Sequence, residues 1–262
     1  MENNFLLDRV AFTIFGFEIY WYGVFMCLAI VAAIVVAMFF CKKREISVDE
    51  PINVALVSVP SGILCGRLFA VLFDEDLSIK QYFNFRTGGM SIIGCIIGGG
   101  IALAIYSFIK KDKDIFKYTD ILCSVLLLAQ AIGRWGNFFN GEIFGQVITD
   151  NNSIFSRFPF AVEINGIRYQ ALFFYESLIN VVGFFFTAEM FLFVKKDGYT
   201  TGFYLIYYGV VRTILEKFRQ DQFILKIGSA PISLICSILM IVAGVAIFAF
   251  SIYRNKKKKE SK

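Results

Sequence analysis

Seven predominantly apolar runs, at about 19–41, 52–73, 89–109, 119–138, 171–194, 200–215 and 230–252, dominate this chain. A helix rises ~1.5 Å per residue, so about 20 apolar residues cross a hydrocarbon layer of ~30 Å. Seven crossings in 262 residues leave connections too short for a separate soluble catalytic domain. The pattern therefore predicts one polytopic domain over 1–262, an all-α integral membrane protein with about seven transmembrane helices. Composition agrees: 57% of residues are hydrophobic and 18% charged, against ~45–50% and ~25% in ordinary soluble domains.

Charge placement orients the chain, because cytoplasmic loops carry the excess of Lys and Arg. The connections 42–50, 110–118 and 195–199 together with the tail hold fifteen such residues, the other side eight, and Arg67, Arg134 and Arg212 lie within spans. The N-terminus is expected outside and the C-terminus inside. Residues 1–18 lack the basic, apolar and small-residue order of a cleavable signal. The longest connection, 139–169, reads as a small extracytoplasmic subdomain between helices 4 and 5, and 253–262 as a basic cytoplasmic tail. Its Lys256–Lys259 run is read as an anchor to anionic membrane lipids, so the net charge of +5 implies no nucleic acid.

Two further counts restrict the chemistry. With no histidine in the chain, an imidazole base, a His-bound metal and a Ser-His-Asp triad are all impossible within it. The six cysteines lie in or beside apolar runs with no CxxC pair, as small buried hydrophobes do. No metal and no cofactor are expected. The glycines of GGMSIIGCIIGGG (88–100) form small-xxx-small pairs that permit close helix packing, with a lipid pocket as the alternative.

Charge inside a bilayer is costly and marks function by default. Arg67, Arg134, Glu176 and Arg212 are such residues, all but Arg67 towards the outer half, whereas Glu189 can snorkel and is read as structural. Tyr208, Arg212, Glu216 and Arg219 are spaced i, i+4, i+8, i+11, which predicts one helical stripe facing a polar interior. Such a stripe could be an intrahelical pair with a solvated end, or an arginine held ready for phosphate by a carboxylate. AIGRWGNFFNGEIFGQ (131–146) is a second polar concentration, dense in amides and glycines where a span leaves the membrane. Irregular polar backbone at that depth is tolerated where it lines a cavity.

GRWGNFFNGEIFG (133–145) closely resembles the signature G-R-x-G-N-F-x-N-x-E-x-x-G of the bacterial prolipoprotein diacylglyceryl transferases, and meets every fixed position. WYG (21–23), GRL (66–68), GGMSI (88–92), FYES (174–177) and YGVVRTILEKFRQ (208–220) resemble the family's other motifs, in order. The resemblance implies transfer of the diacylglyceryl group of phosphatidylglycerol to the thiol of a lipobox cysteine in a prolipoprotein, forming a thioether and releasing glycerol phosphate in the plasma membrane. It further implies that Arg134 binds the phosphate, Arg212 stabilises the leaving group, and Asn137 and Asn140 orient the headgroup. Glu142 and Glu216 would position the arginines, and Tyr22 and Tyr208 would donate hydrogen bonds. Gly145, Arg67, Arg219 and Glu176 complete the substrate side.

Ile93 stands where the family pattern carries a histidine, and Gln170 where it carries another. Thr87, or Gly88 in the other register, replaces an acidic residue. Glu176 or Tyr208 could then deprotonate the thiol. The other readings are a paralogue that binds phospholipid with weak or altered transfer, an inactive structural relative and a seven-span non-enzymatic binding protein.

Overall fold

The computed structural model describes residues 8–73, 79–83, 89–110, 114–142, 144–149, 153–164, 166–220, 226–227 and 230–260. The expectations attached to Arg86, Thr87, Gly88, Lys111, Lys113 and Lys262 lie outside these residues, as do those on the side chains of Lys226, Lys258 and Lys259.

Among the described residues seven long helices follow one another: α1 (Trp21–Lys43), α2 (Glu50–Phe73), α3 (Ile92–Ile109), α4 (Ile115–Asn140), α5 (Leu172–Glu189), α6 (Tyr199–Glu216) and α7 (Ile232–Glu260). Six of them are long and apolar enough to cross a membrane, α5 counting with the π-helical turn Met190–Val194 that extends it. The seventh, α6, is not among the six. Its 18 residues include seven tyrosines or threonines on top of Arg212 and Glu216, so the polar stripe that makes this helix interesting also dilutes its apolar character. The basic tail is no separate segment: α7 runs on through Arg254–Lys257 to Glu260.

Three two-stranded antiparallel ribbons among the described residues interrupt the helical pattern: β1 (Val10–Ile14) with β2 (Phe17–Tyr20), β3 (Ala161–Ile164) with β4 (Ile167–Gln170), and β5 (Lys226–Ile227) with β6 (Ala230–Pro231). The first predicted span therefore loses Ile19 and Tyr20 to β2. In the β1–β2 turn, Phe15 and Gly16 both have positive φ (48° and 79°), the backbone of a tight hairpin whose twist matches its strands.

The chain divides into two compact units. Ala37–Leu122 contains α2 and α3, which pack through small residues. A Cβ on Gly98 would collide with the Cys65 side chain and lie 2.6 Å from the carbonyl oxygen of Ser61. The glycine-rich third span is thus a packing device. At the far ends of the same helices, Glu50 accepts from Tyr106 Oη (2.7 Å) and from Lys110 Nζ (3.0 Å).

The second unit takes the described part of Met1–Val36 together with Cys123–Lys262. Here α1 enters against the end of α4, with Trp21 and Phe25 stacked on Phe139 at 5.0 and 5.4 Å. Helix α6 packs on α7 through Gly202 and Gly244, where a Cβ on Gly244 would lie 2.8 Å from the Gly202 carbonyl oxygen. The 139–169 connection is built around the β3–β4 ribbon. Its apolar core is Phe144, Val162, Ala171 and Phe173, closed by Trp135, Phe138 and Tyr169. A fully buried side chain of that size contributes about 2 kcal/mol, which lets so small a unit hold its shape on the ends of α4 and α5.

Candidate functional site

The signature segment begins as helix and ends as a cap. Gly141, at φ 69°, follows the last helical residue of α4. Its N–H donates to the carbonyl of Phe138 (3.1 Å), and that of Glu142 donates to the carbonyl of Asn137 (3.0 Å). This is the six-to-one and five-to-two pattern with which a glycine closes a helix. The reversal swings the Glu142 carboxylate back over the last turn, where it accepts from Asn140 Nδ2 (3.2 Å) and Asn137 Nδ2 (3.4 Å). The spacing N-x-x-N-x-E is thus a local consequence of the cap. The described partners of Glu142 are these two amides, so the expectation that it positions an arginine is not what the geometry displays.

Arg134 lies two turns earlier on α4, and its guanidinium is held by Glu176 of α5. Arg134 Nη2 donates to Glu176 Oε1 and stands 3.4 Å from the Tyr208 hydroxyl of α6. Arg212 Nη1 approaches the other oxygen of Glu176 at 3.7 Å, and Arg212 Nη2 meets Glu216 at 3.5 Å. Arg219 Nη1 stands 3.9 Å from the same Glu216 oxygen. Ser233, at the start of α7, donates to the remaining oxygen of Glu216. The result is an alternating row, Arg134, Glu176, Arg212, Glu216, Arg219, carrying three positive charges against two negative. Only 2% of the Glu176 side chain is exposed, so the row sits where charge is poorly solvated and the surplus cation favours an anion.

Several expectations change here. Glu176, first placed among the substrate-binding residues, bridges the two central arginines with both oxygens occupied. It is an arginine holder, together with Glu216, and its engaged oxygens make it ill suited to take a thiol proton. Arg219 is not on the helical stripe, because α6 ends at Glu216. The chain turns through Lys217–Phe218, and Arg219 pairs in a β-bridge with Gly145. Burial, reinforced by the nearby Arg212 charge, pushes the Arg219 guanidinium below its usual pKa, as expected of a cation short of countercharge.

Gly145 serves the backbone. Its N–H donates to the carbonyl of Gln170 (2.8 Å), and a Cβ there would lie 2.8 Å from Gln170 Cβ. Only glycine lets this segment lie between β4 and Arg219. Tyr22 packs on Gly136, where a Cβ would lie 3.0 Å from its ring. Arg67, in the other unit, is buried, with Nη1 donating to the carbonyl of Gly89 (2.7 Å) and Nε to that of Tyr82 (3.3 Å). Both acceptors belong to the α2–α3 connection, so this guanidinium ties down the glycine-rich approach to α3. Ile93 lies in the first turn of α3 with an exposed side chain.

Three supports escaped sequence reasoning. Ser233 anchors Glu216, Tyr204 stacks parallel to Tyr208 at 5.9 Å while accepting from Gln130 Nε2 (2.9 Å), and Ser177 Oγ donates to the Ala131 carbonyl (2.9 Å) beside Glu176. Residues this common carry no signal until the fold brings them together. Among the described residues no three His, Cys, Asp or Glu side chains converge to hold a metal ion.

Comparison with known proteins supplies a family. Residues 9–250 match prolipoprotein diacylglyceryl transferase. A phosphatidylglycerol–prolipoprotein diacylglyceryl transferase of Clostridioides difficile (strain 630) is 33% identical over 254 residues, 95% of this chain and 98% of the relative. Its namesake in Clostridium botulinum (strain Langeland) is 35% identical over 260 residues, covering 96% and 100%. That of Finegoldia magna is 36% identical over 243 residues, covering 91% and 94%. With the signature forming a helix cap beside a buried row of arginines and carboxylates, and with likeness along nearly its whole length, this chain belongs to the prolipoprotein diacylglyceryl transferase family.

Proposed function

We propose that this protein is a multi-pass membrane transferase that moves the diacylglyceryl group of phosphatidylglycerol to the lipobox cysteine of prolipoproteins, the first step of lipoprotein maturation. Family membership supports the activity. The observation that carries the site is the buried row with one surplus positive charge, assembled from α4, α5, α6 and the turn after α6. We read α6 as a seventh span, stabilised in the membrane by the pairing of its charges. The N-terminus and residues 139–169 are read as outside and the α7 tail as inside, which puts the site at the outer leaflet.

In this reading Arg134 and Arg212 receive the phosphate, each through planar donors suited to two charge-assisted hydrogen bonds. Glu176 and Glu216 hold them in place, so little reorganisation is needed as negative charge grows on the departing phosphate. The thiolate sulfur attacks the glycerol carbon, the bond from that carbon to the phosphate oxygen breaks, and glycerol phosphate leaves. Sulfur ends in a thioether, and the proton given up as the thiolate forms passes to water. The same surplus positive charge lowers the cost of that thiolate, as cationic neighbours do, in a chain without histidine. Asn137, Asn140 and Glu142, linked by their own hydrogen bonds, form the polar rim for the glycerol headgroup. Tyr22 and Tyr208 supply hydroxyls beside it, Arg219 adds attraction for the anion, Gly145 keeps the surrounding backbone in place, and Arg67 holds the α2–α3 connection within its own unit.

The test replaces Arg134 and Arg212 separately by Gln and follows diacylglyceryl transfer to a lipobox peptide in phosphatidylglycerol vesicles by mass spectrometry. Each variant should lose at least ~100-fold in rate, the scale of removing one preorganised donor. Wild-type turnover in both would refute the assignment. Rescue of a cell depleted of its own transferase tests the activity itself.

A further inference from the structure

The β1–β2 hairpin has two unlike faces. In its register Phe12 faces Ile19 and Ile14 faces Phe17, while Thr13 faces Glu18. Paired residues share a face and alternate along the strand. Phe12, Ile14, Phe17 and Ile19 therefore make one apolar face, and Thr13 and Glu18, with the Tyr20 hydroxyl donating to Glu18 (3.0 Å), mark the polar one. Phe12, Ile14 and Phe17 are each about half exposed, and Phe15 at the tip is 96% exposed. Phe15 also holds a positive φ, which side-chain-bearing residues rarely adopt. A phenylalanine spread into solvent on such backbone gains nothing from the protein's own interior.

Chain continuity fixes what lies against it. Tyr20 is followed directly by Trp21, the first residue of membrane helix α1, and the Trp21 N–H donates to the carbonyl of Arg9 at the foot of β1 (3.0 Å). The hairpin is thereby clamped at the level where α1 meets the headgroups. Aromatic residues concentrate at that level, and amphipathic elements lie there with their apolar side turned into lipid.

We infer that the β1–β2 hairpin lies in the membrane interface beside α1, with Phe12, Ile14, Phe15 and Phe17 in the lipid and Thr13 and Glu18 towards water. It is a lipid-contacting surface additional to the spans, and it does not depend on the transfer chemistry. Phe15→Trp, Ile14→Trp and Thr13→Trp are each made in the full chain and reconstituted in phosphatidylcholine–phosphatidylglycerol vesicles whose acyl chains are brominated near the headgroup end. Emission is read as the difference from the wild type, which contributes Trp21 and Trp135. Phe15→Trp and Ile14→Trp should lose most of their emission to the brominated lipid, and Thr13→Trp should keep its emission there and lose it to aqueous iodide. Retained emission in brominated vesicles at both apolar-face positions overturns the inference. Equal lipid quenching at Thr13→Trp overturns its sidedness. Shielding from iodide that appears only when a lipobox peptide is added assigns the face to the substrate and overturns the lipid assignment.

Discussion

Replacing Glu176 by Gln keeps the side chain's shape and removes the charge that two arginines share. At an effective dielectric of ~20, the Arg212 contact at 3.7 Å is an attraction of about 4.5 kcal/mol, and the closer Arg134 contact about 6 kcal/mol. The two guanidiniums repel each other across the carboxylate. The glutamate therefore holds about 10 kcal/mol of gross attraction, most of which offsets desolvation. Removing one partner of a buried pair costs about 3–5 kcal/mol, which lowers Tm by on the order of 10 °C in a chain of this size. The direction of rescue is specific to the proposed site. Anionic phosphatidylglycerol supplies the missing countercharge and should restore several degrees, whereas zwitterionic phosphatidylcholine should not. Removing the excess cation as well, in Glu176→Gln with Arg134→Gln, should make the double variant more stable than Glu176→Gln alone, since contacting residues couple. Thermal unfolding in detergent micelles doped with each lipid, followed by tryptophan emission, gives all three readings. Equal stabilisation by both lipids together with additive losses in the double variant would refute the argument that Glu176 holds the two arginines by charge.

Gly145→Ala should lower Tm by several degrees and slow transfer, because the new Cβ meets Gln170 at 2.8 Å and overpacking of this kind costs about 1–3 kcal/mol; unchanged melting and turnover would show that the backbone there has room to move. Gly98→Ala, 2.6 Å from the Ser61 carbonyl oxygen, should destabilise the α2–α3 pair by a similar amount in the same melting assay, and an unaltered Tm would mean that the helices separate freely. The transfer rate should climb from pH 7 towards ~9, following the thiolate fraction of a substrate cysteine of pKa ~8.5 shifted down by positive charge. A rate that stays flat across this range would remove rate-limiting thiolate formation from the scheme.

The sequence by itself determined the membrane class and the identity of the costly charges. These are properties of single residues and short windows. An apolar run of sufficient length must be buried in lipid, and an arginine inside it is anomalous wherever its partner lies. Local chemistry also made the end of α4 readable, since Gly141 and the N-x-x-N-x-E spacing act within one helical turn. The pairing of the charges belongs to the tertiary structure, because it depends on residues brought together from distant parts of the chain. Arg134 and Glu176 are forty-two residues apart, and nothing in either neighbourhood favours Glu176 over Glu142 as the holder. Only the packing of α4 against α5 and α6 puts both Glu176 oxygens between two guanidiniums, and only the turn after α6 takes Arg219 off the predicted stripe to Gly145. Ser233 at Glu216 and the two-faced hairpin before α1 were equally hidden. Serine is common, and an apolar strand ending against an apolar helix reads as one continuous run until backbone hydrogen bonding separates them.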